Sequence, residues 1–254
     1  MAYKVLNNVS VKDVTSSDLL SLKTDLLVIV INKNTKDKVV NQLAKDVSSH
    51  LKESGSSVLV PNAKSFNAKN VLLVKGFQDS DQIHKLISMY QSIAQKGNQL
   101  KAKDISIMPG TVYPKGKCEM WLIEMVAKTI ESNVYIFSET CNKTAKKPSV
   151  KKLNILVSSL TKSDLIKAKN AAKKGYAIGE GVNSAKYLGD LPANHCTPRI
   201  IEKKVKAMTK DFPKLKVKSF NENQMKKMGM GSFLSVSRGS EEPARMMVIE
   251  YKGG

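Results

Sequence analysis

The sequence has few of the residues that build disulfide or zinc frameworks. Its 254 residues contain only three cysteines, Cys118, Cys141 and Cys196, at wide spacing and without a C-x-x-C pair or a Cys/His cluster. This pattern predicts neither a disulfide framework nor a structural zinc ribbon. It favours the reducing cytoplasm as the compartment.

Long apolar runs are also missing. The longest, residues 26–31, is far shorter than the ~20 residues that a helix needs to cross a bilayer. The first ten residues lack the apolar centre of a signal peptide. We therefore expect a soluble, cytoplasmic protein without a membrane segment.

Arginine is scarce in a chain that is otherwise strongly basic. The net charge is +20, yet 39 of the 42 basic residues are lysines, and the arginines are Arg199, Arg238 and Arg245. Sequence-specific DNA binding relies on bidentate arginine contacts with bases, so this chain is poorly equipped for it. A solvated, lysine-rich surface is the favoured interpretation of the charge.

Non-specific binding to nucleic acid remains an alternative, because lysines neutralise phosphates whatever the sequence. Ten lysines lie between positions 143 and 174, where Asp164 is the single acid. The basic cluster that would contact DNA includes Lys146, Lys147, Lys151, Lys152, Lys173 and Lys174.

Apolar runs alternate with helical periodicity through residues 1–160. Continuous apolar runs predict strands at 25–31, 58–60, 71–74, 105–108, 134–137 and 153–157. Apolar residues at 3.6-residue spacing predict helices over 36–51, 81–100 and 119–130. This alternation predicts an α/β domain with a mostly parallel sheet.

The pattern changes after residue 158. A long helix is predicted over 163–187, and its Gly175 and Gly179 are interpreted as a packing face rather than a phosphate cradle. Thr197 followed by Pro198 predicts the start of a helix over 199–209. A strand at 215–220, a helix at 222–228 and a buried strand at 246–251 follow.

The residue pattern contains no catalytic constellation. His50, His84 and His195 lie on separate elements, and His195 and Cys196 are neighbours whose side chains point in opposite directions on extended backbone. Asp190 and the Glu241–Glu242 pair lack a second ligand at metal-binding spacing. The glycines at 229–232 and 238–240 are interpreted as turns. We therefore assign no catalytic, cofactor-binding or metal-binding residue.

Residues 181–254 nevertheless resemble the leucyl aminopeptidases, also called cytosol aminopeptidases. Asn183 and L-P-A-N-H-C-T-P at 191–198 are similar to the family's N-x-P-A-N-x-x-T-P. M-G-M-G-S-F-L-S-V at 228–236, R-G-S-E-E-P-A-R at 238–245 and V-I-E-Y-K-G-G at 248–254 resemble the segments that follow in that family.

The resemblance implies an enzyme that releases N-terminal amino acids, leucine preferred, from peptides by two-metal hydrolysis, and that assembles as a hexamer. Two divalent ions, zinc or manganese, are held in that family by a lysine and several carboxylates. The ligand motifs, G-K-G-x-x-F-D and N-T-D-A-E-G-R, are absent from these 254 residues. We therefore expect this chain to bind neither metal ion and to be inactive alone.

The resemblance also implies a domain plan. Residues 1–160 would form a three-layer α/β domain similar to macro domains, 161–187 a connecting helix, and 188–254 the incomplete opening of the peptidase domain. Apolar surface around 246–251 should then be exposed or paired with another chain. A macro-like domain raises ADP-ribose binding as a third possibility. It is disfavoured because only Gly76 and Gly110 follow strands where a pyrophosphate loop should lie.

Overall fold

The computed structural model describes residues 3–32, 38–47, 50–77, 83–110, 113–140 and 147–253. It divides into two compact units, an N-terminal unit of Lys4–Asn183 and a C-terminal unit of Ser184–Gly254 with Met1–Tyr3. Within the described ranges, no helix combines the length and the apolar character needed to cross a membrane.

The N-terminal unit is built on a six-stranded sheet, which confirms the α/β fold class. The strands are β1 (Asn8–Asp13), β2 (Leu26–Ile31), β3 (Ser57–Pro61), β4 (Asn70–Lys75), β5 (Asp104–Met108) and β6 (Lys152–Val157). Their order is β1-β6-β5-β2-β4-β3. All neighbours are parallel except β3, which runs antiparallel to β4.

Helices cover both faces of this sheet. They are α1 (Ser16–Ser21), α2 (Lys38–Asp46), α3 (Ile83–Gln99) and α4 (Glu119–Val134), and α5 (Lys162–Asp190) packs against α4. One face packs Leu27 and Ile29 of β2 with Leu19 of α1 and Val40 of α2. On the other, Gly97 of α3 lies against Ile105. Because both faces of the sheet are covered, the central strands have continuous apolar sequences without alternation.

The predicted strand at 134–137 is wrong. Val134 is the last residue of α4, and residues 135–138 have no regular secondary structure. The reason is that the buried face of α4 continues through Ile130 and Glu131 to Val134. The helical period therefore extends four residues past the predicted end at 130, and the apolar run V-Y-I-F is divided between a helix end and a loop.

Two elements of the N-terminal unit were not predicted. Strand β1 has a single buried residue, Val11, because it lies at the edge of the sheet beside β6. Helix α1 has one buried residue, Leu19, and is fixed by a capping box between Thr15 and Asp18. Helices predicted from 36 and 81 begin at Lys38 and Ile83, and residues 36–37 and 81–82 lie outside the described part.

The predicted packing face of α5 is confirmed. A Cβ added at Gly175 would overlap the backbone carbonyl oxygen of Glu124 in α4, and one added at Gly179 would lie 2.7 Å from the Cβ of Glu131. The two helices therefore approach closely enough that only glycine fits at both positions.

The C-terminal unit combines the end of α5 with short helices and a two-stranded ribbon. A 3-10 turn at Ala193–His195 precedes α6 (Pro198–Asp211), β7 (Leu215–Phe220), α7 (Glu222–Lys227), α8 (Gly231–Ser235) and β8 (Met246–Tyr251). Strands β7 and β8 pair antiparallel. The predicted cap is confirmed, because the Thr197 hydroxyl accepts a hydrogen bond from the Ile200 N–H at 3.4 Å.

Two predictions for this unit need correction. Residues 231–232, taken as part of a glycine loop, begin the short helix α8. Strand β8 forms at the predicted positions, but it is not buried. Val248, Ile249 and Tyr251 are 47%, 51% and 68% exposed, which confirms the expected apolar surface around 246–251.

Candidate functional site

A cleft of about 760 Å³ opens at the carboxyl ends of four strands in the N-terminal unit. Its walls come from the residues at or directly after the ends of β1, β2, β5 and β6, together with the start of α1 and of α4. Ligands of open α/β sheets bind at this edge, where loops diverge from parallel strands. The position makes the cleft the candidate binding site of this unit.

Asn32 occupies a tightly enclosed position in this cleft, directly after β2. A Cβ added at Gly76, after β4, or at Gly110, after β5, would overlap the Asn32 side-chain amide. In the sequence, both glycines are poor candidates for a pyrophosphate loop. Instead, they make room for one amide group between neighbouring strand ends.

The Gly110 backbone is also held by a hydrogen bond from the helix side of the sheet. The hydroxyl of Tyr90 in α3 is hydrogen-bonded to it, and the Tyr90 side chain is fully buried. Burial raises the pKa of Tyr90 well above its ordinary value. The phenol therefore stays neutral and positions the loop as a structural group.

The walls of the cleft combine an apolar floor with acidic and hydroxyl groups. The floor residues are Leu19, Val30, Met108, Leu122, Leu156 and Val157. Polar groups come from Asp13, Thr15, Ser16, Asn32, Tyr113, Glu119, Ser158 and Ser159. Among the described lining residues none is a lysine, arginine or histidine.

Glu119 is the acid of this cleft with a perturbed pKa. Partial burial raises the pKa of its carboxyl, and the negative charge of Asp164 raises it further. Both causes disfavour the ionised form, so a positive charge nearby would be stabilising. The cleft can therefore accept hydrogen bonds and positive charge, while its described walls offer no cation to an anionic ligand.

A second polar group lies deep between α4 and α5 and has a structural explanation. The Glu131 carboxylate accepts hydrogen bonds from the N–H groups of Val5 and Leu6, at 2.9 and 3.0 Å, and from the Asn183 side-chain amide at 2.9 Å. Burial raises the pKa of Glu131, while these donors act in the opposite direction. Glu131 thus fastens the N-terminal segment to α4, and Asn183, the first residue of the motif quoted above, fastens α5 to the same carboxylate.

The remaining candidate residues of the C-terminal unit do not come together in a site. His195 ends the 3-10 turn, where its N–H donates to the Pro192 carbonyl at 2.8 Å. Cys196 follows as a free, half-buried thiol. Glu242 forms an ion pair with Arg199 at 3.3 Å. Gly229 has φ of +72°, as its interpretation as a turn residue requires.

Glu202 carries the strongest ion-pair network of this unit. Its carboxylate contacts the Lys206 ammonium at 2.5 Å, the Ser219 hydroxyl at 2.6 Å and the Arg245 guanidinium at 2.8 Å. These partners, with Lys206 the largest contributor, lower the pKa of Glu202 to about 2. The network joins α6 to β7 and to the residue before β8, and so has a structural role.

The basic cluster is described only in part, since Cys141, Lys143 and Lys146 lie outside the described residues. Lys147, Lys152 and Lys173 are exposed. Lys174 forms an ion pair with Glu124 at 3.0 Å, and Lys167 forms one with Asp164 at 2.9 Å.

Comparison with known proteins identifies the relationship of the chain. Residues 183–254 match the catalytic domain of the cytosol aminopeptidase family. A probable cytosol aminopeptidase of Azotobacter vinelandii is 30% identical over 255 residues, which cover 95% of this chain and 50% of that protein. The cytosol aminopeptidase of Pseudomonas aeruginosa is 29% identical over 248 residues, covering 92% and 49%.

Solved structures agree with this relationship at the level of the fold. A mutant of tomato leucine aminopeptidase superposes with a TM-score of 0.73 at 19% identity, over 96% of this chain and 51% of that one. The bottromycin maturation enzyme BotP in complex with Mn gives 0.69 at 16%, over 90% and 45%. The chain belongs to the cytosol aminopeptidase family, and it spans about half the length of the curated relatives it matches.

The carboxylates, histidines and cysteines of the described residues are not arranged as metal ligands. In the described ranges no three His, Cys, Asp or Glu side chains are grouped so that they could hold an ion. The buried carboxylate of Glu131 and the half-buried carboxylate of Glu202 are already used by hydrogen bonds. The described residues therefore do not fit a metal centre, and we derive no catalytic step from them.

Proposed function

We propose that this chain is the N-terminal part of a cytoplasmic, metal-dependent aminopeptidase. The observation that carries the proposal is the match of residues 183–254 to the family's catalytic domain. In this proposal residues 1–160 form an accessory domain, 161–187 the connecting helix and 188–254 the opening of the catalytic domain.

The whole enzyme would release N-terminal amino acids from peptides, leucine among them, using two divalent ions and a hexameric assembly. The bound Mn of BotP supports the metal requirement of related proteins. The ligand motifs expected from the resemblance are missing from the 254 residues. Hydrolysis by two metal ions requires those ligands to position the ions and the attacking water. This chain alone would therefore be inactive on peptides.

The test uses the purified 254-residue chain, its mass verified, with leucine p-nitroanilide and added Zn²⁺ or Mn²⁺. The full-length Azotobacter vinelandii relative, assayed in parallel, serves as the positive control. We expect release of p-nitroaniline by the control and none above buffer by the chain. Metal-dependent turnover that follows the 254-residue species through a sizing column would contradict the proposal.

Non-specific nucleic-acid binding is the second candidate function, supported by the net charge of +20 and by the exposed lysines at 147, 152 and 173. Binding of this kind falls steeply with salt and depends little on base sequence. We expect two unrelated duplexes to shift equally in a gel at low salt. The absence of any shift at low salt would remove this candidate.

A further inference from the structure

The cleft at the carboxyl edge of the N-terminal unit has no role in peptide hydrolysis as proposed above. Its walls are nonetheless closely packed around one polar side chain. Asn32 is enclosed by two glycine backbones, and the fully buried Tyr90 supports one of them. A volume of about 760 Å³ lies within the range of roughly 300–1,000 Å³ that is typical of small-molecule sites.

The charge of the cleft is opposite to that of the chain. Asp13 lies on one wall, at the end of β1, and Glu119 on another, at the start of α4. No described lining residue is cationic, although the chain carries a net charge of +20. Against the described walls, a phosphate or carboxylate would meet two carboxylates and no counter-charge, whereas a protonated amine would be attracted by both carboxylates.

The apolar part of the lining sets a second condition on the ligand. Val14, Met108 and Pro109 are only half-buried and give the lining an accessible apolar surface beside its polar groups. A small, fully hydrated cation would leave this surface wet, but an apolar group on the ligand would bury it.

We propose that this cleft binds a protonated amine attached to an apolar body, of about the size of one to three amino-acid residues. The ammonium group lies between the carboxylates of Asp13 and Glu119, and the apolar part covers the half-buried Val14, Met108 and Pro109. Anionic ligands such as ADP-ribose are disfavoured by the same charges. The proposal concerns the N-terminal unit and does not depend on hydrolysis.

The test titrates the full 254-residue chain with leucinamide near pH 6.5, below the range of about 7.7–8.0 in which an α-amino group loses its proton. N-acetyl-leucinamide has a similar body without the charge, and ADP-ribose is the anionic probe. For a ligand this small we expect a Kd on the order of 1 mM. The acetylated analogue should bind at least about tenfold more weakly, because it loses the ionic contacts.

Variants identify the site. Glu119→Gln and Asp13→Asn should each weaken leucinamide binding about three- to tenfold and leave the acetylated analogue unchanged. Glu53→Gln, at an exposed carboxylate outside the cleft, is the matched control and should change neither. Amide NMR spectra establish that the variants are folded, and ligand shifts should include Ser158 and Ser159.

Several results would overturn the proposal. They are equal binding of leucinamide and its acetylated analogue, tighter binding of ADP-ribose than of leucinamide, or no saturable binding of leucinamide at tens of millimolar. Folded Glu119→Gln and Asp13→Asn variants that both bind leucinamide like the parent chain would also overturn it. The hydrolysis assay above is independent of all these readouts.

Discussion

Replacing Gly175 by alanine tests the close approach of α5 to α4. The added Cβ would overlap the Glu124 carbonyl oxygen and lie 2.8 Å from the carbonyl carbon, and both are backbone atoms that cannot rotate away. One helix must move, and overpacking of this kind costs about 1–3 kcal/mol. The gain in helix propensity from glycine to alanine offsets up to about 1 kcal/mol.

We therefore expect Gly175→Ala to lower the free energy of unfolding by about 1–2 kcal/mol. The matched control is Gly181→Ala in the same helix, where an added Cβ meets nothing within 4 Å. Since only the propensity gain acts there, the control should raise stability by about 0.5–1 kcal/mol.

The assay is urea unfolding followed by the fluorescence of Trp121, which is the single tryptophan of the chain and lies in α4. Its signal reports on the helix that the substitution should displace. Equal stabilisation by both substitutions would refute the inference that Gly175 is required by the α4–α5 contact.

Three further predictions concern buried polar groups and a helix cap. Glu131→Gln should lower the free energy of unfolding by about 2–4 kcal/mol in the same urea assay, because the new amide NH₂ would face the N–H of Leu6 or of Val5 and leave a buried donor unpaired. A loss of stability below about 0.5 kcal/mol would contradict this prediction. The pKa of Glu202 is lowered from an ordinary 4.5 to about 2, so its contribution to stability is present above 4.5 and is lost as pH falls towards 2. Thermal unfolding by circular dichroism over that range should show this loss, and Glu202→Gln should flatten the pH profile; an unchanged profile would disprove the assignment. Thr197→Ala should lower the free energy of unfolding by about 1 kcal/mol, because the cap of α6 is lost, whereas Thr197→Ser keeps the hydroxyl and should retain most of the stability. Equal losses of stability in both variants would rule out the hydroxyl as the cause.

The elements that follow a strict apolar pattern could be predicted from the sequence. The six consecutive apolar residues of β2 and the four of β4 indicated strands covered on both faces, since only such strands lack alternation. The cap at Thr197 depends only on neighbouring residues, so it could also be predicted from the sequence. The run at 134–137 was ambiguous, because a buried helix end and a buried strand have the same composition.

The cleft could not be predicted in the same way. Asn32, Gly76 and Gly110 follow different strands, and only the order of β5, β2 and β4 in the sheet brings them together. Strand order is a long-range property that no local spacing encodes. The Glu131–Asn183 contact is of the same kind, because each residue alone is an ordinary polar position on a helix.

Strand β8 has a practical consequence for work with this chain. Its sequence M-M-V-I-E-Y combines β-branched and aromatic residues with a single charge, and its side chains are exposed on both faces of a two-stranded ribbon. Natural proteins protect such edges with lysine, proline or a bulge, because an unprotected edge is a template for aggregation. Concentration and storage time will therefore affect yield, and Ile249→Lys is the first change we would introduce to keep the protein monodisperse.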